Sequence, residues 1–389
     1  MLIKRLVLNK ILSFKDCTVE LGPLNVLIGP NAVGKSNLIE VVGLLQAAPT
    51  SLSAAILRGG GVRQWIWLGG DCAPFAPALI KCGLTMTGGR TPGDLDYSVE
   101  FSPDAASGLV ITREGMGEGD LPEIYLSRDF GRARLAVAVS SLKGRDPDTM
   151  TIPLGESVLS QYKNPADPTP ITEVGNHFSQ IRIFREFRTG PQSQARYGIS
   201  TSAPKDALLD GADNLALVLH ELDFLGVHER IKAYLARFCE RFQDVKVRVG
   251  EGVAKTFLSE TGLSEMLSAI RMSDGTLKFL ALLAALFHPK PPPLLCIEEP
   301  EAGLHPDAMR LVAEALVEAS QTTQLIVTTH SEALVDALTD QPESVLVCER
   351  DPENGTQMRR LSREDLKDWL EHYTLGQLWR KGEIGGGRW

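Results

Sequence analysis

The sequence has few aromatic residues, scattered cysteines and no long apolar run, and each shortage excludes a class of protein. Aromatic residues make up only 6% of the chain. The longest apolar run, Phe279 to Phe287, is far shorter than the roughly 20 residues of a membrane-spanning helix. The N-terminus, MLIKRLVLNKILSFKD, is interrupted by Lys4, Arg5 and Lys10 and lacks the apolar core of a secretory signal. No CxxC pair occurs, so neither a zinc cluster nor a disulfide framework is predicted from Cys17, Cys72, Cys82, Cys239, Cys296 and Cys348. We therefore expect a cytoplasmic, reduced protein.

The chain also lacks a basic excess. Its 40 Lys and Arg residues are outnumbered by 49 Asp and Glu residues, which gives a formal net charge of −9. This balance argues against a protein that coats nucleic acid through bulk charge, although it leaves room for a local basic patch. At 389 residues, the chain is long enough for two or three lobes or for one large α/β unit with insertions.

Four segments differ in their patterning. Residues 1–73 combine alternating apolar residues with a helical stretch, and this predicts an N-terminal lobe that carries a phosphate-binding loop. Residues 74–145 contain short strand-like runs separated by Gly, Pro and Asp, which predict an antiparallel β-rich insertion. Residues 146–290 predict a mainly helical segment, with loop over 144–170. Residues 291–389 alternate buried strands and helices and predict a C-terminal lobe, so the whole is one composite α/β unit with a P-loop core.

The phosphate-binding loop is the most specific motif. GPNAVGKS at 29–36 fits G-x-x-x-x-G-K-S and lies between the apolar strand LNVLI and a helical stretch, which is the context the motif requires. Backbone N–H groups of such a loop surround the phosphates, the lysine reaches the β- and γ-phosphates, and the serine hydroxyl binds Mg²⁺. The residues predicted to contact ATP are Gly29, Pro30, Asn31, Ala32, Val33, Gly34, Lys35, Ser36 and Asn37.

Two further apolar strands end in polar side chains. LLCIEEPE ends with Glu298, predicted to bind Mg²⁺ through water, and with Glu299, predicted to polarise the attacking water. QLIVTTH ends with His330, predicted to hydrogen-bond the γ-phosphate. Each could be a solvated strand end, but in an α/β sheet with a phosphate-binding loop such ends gather at the functional edge. Ser273 in RMSDGT is predicted to cap the helix that follows it.

Together these motifs resemble the ATP-binding-cassette ATPases, in particular the SMC, RecF and OLD-like heads. The resemblance rests on LIKRLVLNKILSFKDCTVELGPLNVLIGPNAVGKSN, RMSDGTLKFLALL, EEPEAGLHP and VTTHS, and the tail from VLVCERDPENG onward is similar to a bacterial group of AAA-type ATPases. It implies an Mg²⁺-dependent ATPase with two heads that associate face to face around two ATP molecules. In such a homodimer Ser273, Asp274 and Gly275 form the signature that contacts the ATP of the partner head.

The resemblance also implies a glutamine near Mg²⁺, for which Gln161 is the preferred candidate and Gln192 and Gln194 are the alternatives. Several positions depart from the family pattern. The signature is MSDGT instead of LSGGQ, and Ala32 stands where many SMC-like heads have Gly. Glu298 replaces the usual Asp, and His305 occupies the position of the D-loop Asp.

The resemblance implies DNA as the commonest ligand of similar heads, or an effector protein encoded nearby, in DNA repair or anti-phage defence. The alternative is a regulatory module that turns ATP over slowly and binds a protein partner. A transporter subunit is disfavoured by the signature and the β insertion. A nuclease of the OLD type is disfavoured because VLVCERDPENG is not followed by an Asp-x-Asp pair.

Two local clusters have open interpretations. Arg182, Arg185 and Arg188 in RIFREFRTG form either a solvated strand face or a phosphate or nucleic-acid contact. Trp65 and Trp67 in RQWIWLGG are either packing anchors or a platform for stacked bases, and packing is the preferred interpretation.

Overall fold

The structure of the protein is a computed structural model, and it contains the strands and helices that the sequence predicts on either side of the phosphate-binding loop. The structure describes residues 1–69, 76–86, 93–104, 108–119, 121–135, 148–167 and 169–386. The chain divides into two compact units. The first comprises Met1–Ile181, Glu343–Ser362 and Ile384–Trp389, and the second comprises Arg182–Pro342 and Arg363–Glu383.

The first unit is built on one large sheet. Its strands are β1 Leu2–Ile11, β2 Phe14–Glu20, β3 Leu24–Ile28, β4 Ala78–Met86, β5 Gly93–Pro103, β6 Leu109–Glu118, β7 Leu121–Asp129, β8 Arg132–Leu135, β9 Asp148–Thr151, β17 Val345–Asp351 and β18 Gly355–Arg360. Its helices are α1 Lys35–Ala47, α2 Leu52–Arg58, α3 Val62–Trp65, α4 Val158–Gln161 and α5 Ile171–Ser179.

The strand order in this unit is β3-β17-β18-β2-β1-β4-β5-β6-β7-β8-β9. Strands β3 and β17 are parallel, and all five residues of β3 are buried. Continuous burial is what a parallel strand covered on both faces requires. From β4 to β9 the strands pair antiparallel in chain order, as the predicted β insertion requires. The predicted β-rich insertion includes the strand-like run ARLAVAVS at 133–140, which the structure describes only as far as Leu135. Cys72 also lies outside the described part of the chain.

The second unit contains a parallel sheet and a small antiparallel one. Its strands are β10 Arg182–Phe184, β11 Ile199–Ser200, β12 Phe242–Gly250, β13 Val253–Glu260, β14 Leu267–Ser268, β15 Leu294–Glu298 and β16 Gln324–Thr328. Its helices are α6 Gln194–Tyr197, α7 Leu215–Phe224, α8 His228–Phe238, α9 Asp274–Leu286, α10 Met309–Ala319, α11 Glu332–Asp336, α12 Lys367–Leu370 and α13 Leu375–Lys381. In the parallel sheet the strand order is β10-β15-β16. In the antiparallel sheet β13 lies between β11 and β12 and also pairs with β14.

The segment 146–290 is less helical than predicted. It contains the antiparallel sheet of β11 to β14 and, in the region expected to be loop, β9 and α4. The two long strands alternate apolar and polar residues on either side of Gly250-Glu251-Gly252, which is the pattern of a hairpin. None of the helices in the described part of the chain combines the length and apolarity that a membrane crossing needs.

Candidate functional site

The phosphate-binding loop leaves β3 through a glycine whose position excludes any side chain. Gly29 has a φ of 147°, and a Cβ built on it would lie 2.4 Å from the carbonyl oxygen of Cys348. Gly34 has a φ of 107°, and a Cβ there would lie 2.3 Å from Thr356 Oγ1 and 2.5 Å from Ser13 Oγ. The two glycines of the motif are therefore required both by backbone conformation and by close packing.

Ala32 is the unusual residue of this loop. Its φ is 59°, in the left-handed region, although it carries a Cβ. Such a conformation costs roughly 1–2 kcal/mol for a residue with a side chain. A glycine at this position would adopt the same backbone conformation without that cost.

Lys35 is turned inward to the loop itself. Its side chain is 6% exposed, and Nζ donates hydrogen bonds of 2.8 Å to the carbonyl oxygens of both Gly29 and Pro30. Burial raises the pKa of the neighbouring Cys348 thiol to about 12, and the positive charge of Lys35 acts in the opposite direction. A buried ammonium group at the start of α1, together with the helix dipole, makes this loop suited to phosphate oxygens.

A chain of hydrogen bonds supports the loop from behind. Thr356 Oγ1 lies 2.6 Å from the carbonyl oxygen of Val33 and 2.7 Å from Ser13 Oγ, and Asn37 Nδ2 donates to Ser13 Oγ at 2.8 Å. Because the carbonyl only accepts, the single hydroxyl hydrogen of Thr356 goes to Val33, and Ser13 then donates to Thr356. Ser13 and Thr356 are not visible in the motif, and only their juxtaposition in the fold identifies them.

The structure gives Gln161 a peripheral environment. It is the last residue of the short helix α4, is exposed, and donates from Nε2 to Ser160 Oγ at 3.0 Å. The alternatives Gln192 and Gln194 belong to the second unit. The assignment of the glutamine near Mg²⁺ stays a prediction.

The two acidic residues after β15 have different environments. Glu298 ends the strand, its side chain is 17% exposed, and its Oε1 lies 3.1 Å from Nη1 of Arg185. Glu299 has a φ of 44°, and its backbone N–H donates to the carbonyl oxygen of Thr328 at 3.0 Å. This backbone turn leaves the Glu299 side chain 54% exposed, with Oε1 at 3.9 Å from Nε2 of His330. Glu299 and His330, predicted separately from two strands, are therefore neighbours in the second unit.

Glu301 connects these two strand ends and was not predicted. Its Oε1 accepts from Thr329 Oγ1 at 2.7 Å and from the backbone N–H of His330 at 2.6 Å. Thr329 is fully buried, so this carboxylate fixes the backbone from which the His330 side chain projects. The EEPE sequence contains Glu301, but its role follows only from the parallel pairing of β15 with β16.

The signature residues open helix α9. Ser273 is its N-cap and its Oγ accepts from the backbone N–H of Thr276 at 3.0 Å, the geometry expected of a helix cap. Gly275 packs closely against the backbone of Gly303, because a Cβ on Gly275 would lie 3.1 Å from the carbonyl oxygen of Gly303. Asp274 forms an ion pair with Arg196, a side chain that is only 8% exposed.

Arg196 anchors the turn before the signature. Its Nε donates to the carbonyl oxygen of Thr189 at 2.7 Å, and Nη1 donates to the carbonyl oxygens of Met272 at 2.7 Å and Ala269 at 3.2 Å. The guanidinium group thus satisfies backbone acceptors on the segment that leads directly into Ser273. Arg196 lies about 75 residues before the signature, so no local pattern could have identified it.

The remaining candidates have more ordinary environments. His305 is 75% exposed and caps a short 3₁₀ turn through the backbone N–H of Asp307 at 3.3 Å. Arg188 pairs with Asp213 at 2.5 Å, so two of the three arginines in RIFREFRTG face carboxylates. Trp65 is 5% exposed and donates to the carbonyl oxygen of Ile56 at 3.1 Å, as a packing anchor does.

Comparison with known proteins agrees with this architecture. A family described as "AAA domain, putative AbiEii toxin, Type IV TA system" matches residues 24–79 and 157–336, which is well over half of the chain. No curated protein matches the chain.

Among solved structures, the chain is similar to an SMC head bound to the C-terminal winged-helix domain of ScpA. The identity is 14%, the match covers 94% of this chain and 99% of that one, and the TM-score is 0.59. It is similar to the Pyrococcus furiosus Smc head bound to the C-terminal domain of ScpA at 14% identity, with coverage of 95% and 98% and a TM-score of 0.56. The Thermotoga maritima SMC head matches at 14% identity, with coverage of 93% and 100% and a TM-score of 0.51.

The fold is therefore the mixed α/β P-loop NTPase fold of SMC head domains, as predicted, with an antiparallel β subdomain. The chain belongs to the AAA-domain family whose model it matches.

Proposed function

We propose that this protein binds ATP with Mg²⁺ and hydrolyses it to ADP and phosphate. The observation that carries the proposal is the conformation of the loop around Lys35. Two of its glycines adopt positive φ, and the buried Nζ of Lys35 donates hydrogen bonds of 2.8 Å to the carbonyl oxygens of Gly29 and Pro30. In this proposal the phosphates of ATP replace those carbonyl groups as acceptors for Nζ. Backbone N–H groups from Asn31 to Ser36 complete the phosphate site.

The metal is expected to be held by oxygen ligands, which Mg²⁺ prefers. We assign the hydroxyl of Ser36 and the carboxylate of Glu298, with Gln161 as the amide candidate. In this structure the Glu298 carboxylate lies 3.1 Å from the Arg185 guanidinium, a cationic partner that Mg²⁺ would have to displace. Bound Mg²⁺ would neutralise charge on the phosphates during transfer.

Hydrolysis needs a group that orients water, and we assign this role to Glu299. The positive φ of 44° leaves its carboxylate half-exposed and close to His330. We assign His330 to the γ-phosphate, with its backbone fixed by Glu301. Positioning and electrostatic stabilisation of this kind supply most of the catalysis in phosphoryl transfer.

We further propose that ATP closes a homodimer in which Ser273, Asp274 and Gly275 contact the nucleotide of the partner head. Support comes from the SMC-like fold and from the rigid attachment of the signature turn to Arg196. The closed dimer acts on double-stranded DNA or on an effector protein, in DNA repair or anti-phage defence.

The solution mass of Glu299→Gln by light scattering, with and without Mg²⁺-ATP, tests this proposal. We expect a shift from monomer to dimer only with ATP, because the variant binds nucleotide and hydrolyses it poorly. Lys35→Ala serves as the control that cannot hold ATP, and Ser273→Arg as the control that binds ATP without closing. A mass that ignores ATP, despite measured nucleotide binding by Glu299→Gln, contradicts the two-head mechanism.

Two observations favour a second function, a slow-turnover regulatory module that binds a protein partner. The carboxylate assigned to Mg²⁺ is engaged by Arg185, and His305 stands where similar heads have an acidic residue. Such a module would show no stimulation of turnover by DNA. It would instead associate with the product of a neighbouring gene only when ATP is present, which a pull-down with purified proteins measures.

A further inference from the structure

The antiparallel sheet of the second unit has one buried and one cationic face. On the inner face, Val245 and Leu258 are buried, and Ala254 packs with residues of α7 in a small apolar cluster. On the outer face Lys246 and Arg248 of β12 and Lys255 of β13 are all exposed. Residues alternate between the faces of a strand, so these three cations share one surface, which we call the hairpin face.

The arrangement of these cations does not stabilise the fold. Arg248 and Lys255 are direct cross-strand partners, and like charges directly opposite each other destabilise a hairpin. Among the described residues, neither has a carboxylate within ion-pair distance, whereas Lys246 lies 3.5 Å from Asp244. Asp244 is itself held by His228 at 2.7 Å. The hairpin face therefore keeps an uncompensated positive charge in a protein whose net charge is −9.

An aromatic ring and hydroxyl groups complete this surface. The guanidinium of Arg248 lies 4.7 Å from the ring centroid of Phe257, which is the cross-strand partner of Lys246. Stacking of this kind fixes the guanidinium while leaving its N–H groups available. Ser268 pairs with Phe257, and Ser200 pairs with Val253 at the other end of β13. Lysine, arginine and serine side chains are among the groups that contact the phosphates of DNA.

We propose that the hairpin face binds the phosphodiester backbone of double-stranded DNA without reading its sequence. The positive charge of the hairpin face is complementary to a polyanion. Its three cations lie along one face of the sheet, which suits the regularly spaced phosphates of a DNA strand. The hairpin tip carries Glu251, so the contact is made by the flat face and not by insertion of the tip into a groove. This inference rests on the DNA-acting form of the proposed function and names the surface that would make the contact.

The test is binding of a fluorescently labelled DNA duplex of random sequence by the full-length protein with Mg²⁺ and a non-hydrolysable ATP analogue. The variant combines Lys246→Gln, Arg248→Gln and Lys255→Gln. The matched control combines Lys290→Gln, Lys367→Gln and Lys381→Gln, which remove the same charge from other exposed positions. Titrations at several salt concentrations between about 50 and 200 mM give the slope of log affinity against log salt.

We expect the hairpin variant to lose at least tenfold in DNA affinity and its salt slope to fall by about 2 to 3, since each phosphate contact contributes about 0.9. The control variant should retain most of the affinity. Equal losses in both variants, or no loss in the hairpin variant, overturn the inference. The inference is also overturned if the wild-type protein binds poly-glutamate but not DNA, and the hairpin variant loses the binding of poly-glutamate.

Nucleotide binding is measured in the same samples and separates the two proposals. If the protein binds the ATP analogue and dimerises but does not bind DNA, the hairpin inference fails and the ATPase proposal stands. If it does not bind the analogue, the proposed function itself fails.

Discussion

The hydroxyl groups of Ser13 and Thr356 lie 2.7 Å apart behind the phosphate-binding loop, although 343 positions separate them in the chain. Thr356 holds the carbonyl oxygen of Val33, and Ser13 holds the side chain of Asn37. The loop conformation is thus fixed by a residue in the turn between β1 and β2 and by a residue of β18, at opposite ends of the sequence. A motif alone does not create a phosphate site, because the backbone must also be held open in the absence of ligand.

Thr356→Val should weaken nucleotide binding. It keeps the shape of the side chain but removes the donor to Val33, which leaves a buried carbonyl group without its partner at a cost of roughly 1–3 kcal/mol. We expect a several-fold rise in the Kd of a fluorescent ATP analogue together with a lower urea midpoint. Thr356→Ser retains the hydroxyl and should remain close to wild type. Unchanged affinity in Thr356→Val would show that this hydrogen bond does not support the loop.

Ala32→Gly should improve the loop. The left-handed φ of 59° is strained for alanine and free for glycine. We expect ATP affinity equal to wild type or a few-fold higher, without loss of stability, whereas Ala32→Val should lower affinity. Ala55→Gly in α2 is the matched control, and there the same change should cost about 1 kcal/mol because the helical backbone gains freedom on unfolding. Equal destabilisation by both glycine substitutions would contradict this assignment.

Arg196→Met should disturb the signature turn without touching the phosphate-binding loop. The methionine fills much of the buried space but leaves the carbonyl oxygens of Thr189, Ala269 and Met272 without donors. We expect a clearly lower melting temperature and loss of the ATP-dependent dimer, while the monomer still binds ATP. Light scattering and nucleotide titration on the same sample measure both properties.

Arg230→Met provides a control for the loss of an arginine. Arg230 pairs with Glu318 at 2.7 Å, and its side chain is 40% exposed. We expect it to keep the ATP-dependent dimer. If Arg196→Met dimerises as the control does, the arginine has only a structural role.

The motifs of the candidate site could largely be predicted from the sequence. The residues that hold these motifs in place through hydrogen bonds could not. The strands before Gly29, Glu298 and His330 were predicted from apolar runs, because a buried parallel strand is continuous in its hydrophobicity. The helix cap at Ser273 was also predicted, because capping depends on neighbouring residues only.

The missed residues depend on long-range pairing. Ser13, Thr356, Glu301 and Arg196 act on backbone groups far away in sequence, and no periodic pattern encodes such a partner. The antiparallel sheet of the second unit was missed for another reason. The alternation of β12 and β13 lies between strong helical stretches, so the segment as a whole was predicted to be mainly helical.

Arg185→Gln should reduce the Mg²⁺ concentration required for ATP hydrolysis. In the present structure the guanidinium group and Mg²⁺ would compete for the same carboxylate of Glu298. Arg185 is half-exposed, and exposed ion pairs contribute roughly 0.2–1 kcal/mol, so the half-maximal Mg²⁺ concentration should fall by at most about fivefold. Phosphate release assayed across a Mg²⁺ titration measures this shift. Arg188→Gln, which breaks the pair with Asp213 instead, should leave the Mg²⁺ requirement unchanged. If Arg185→Gln lowers the maximal rate at saturating Mg²⁺ and leaves the half-maximal concentration unchanged, then Arg185 assists the reaction and does not restrain the metal site.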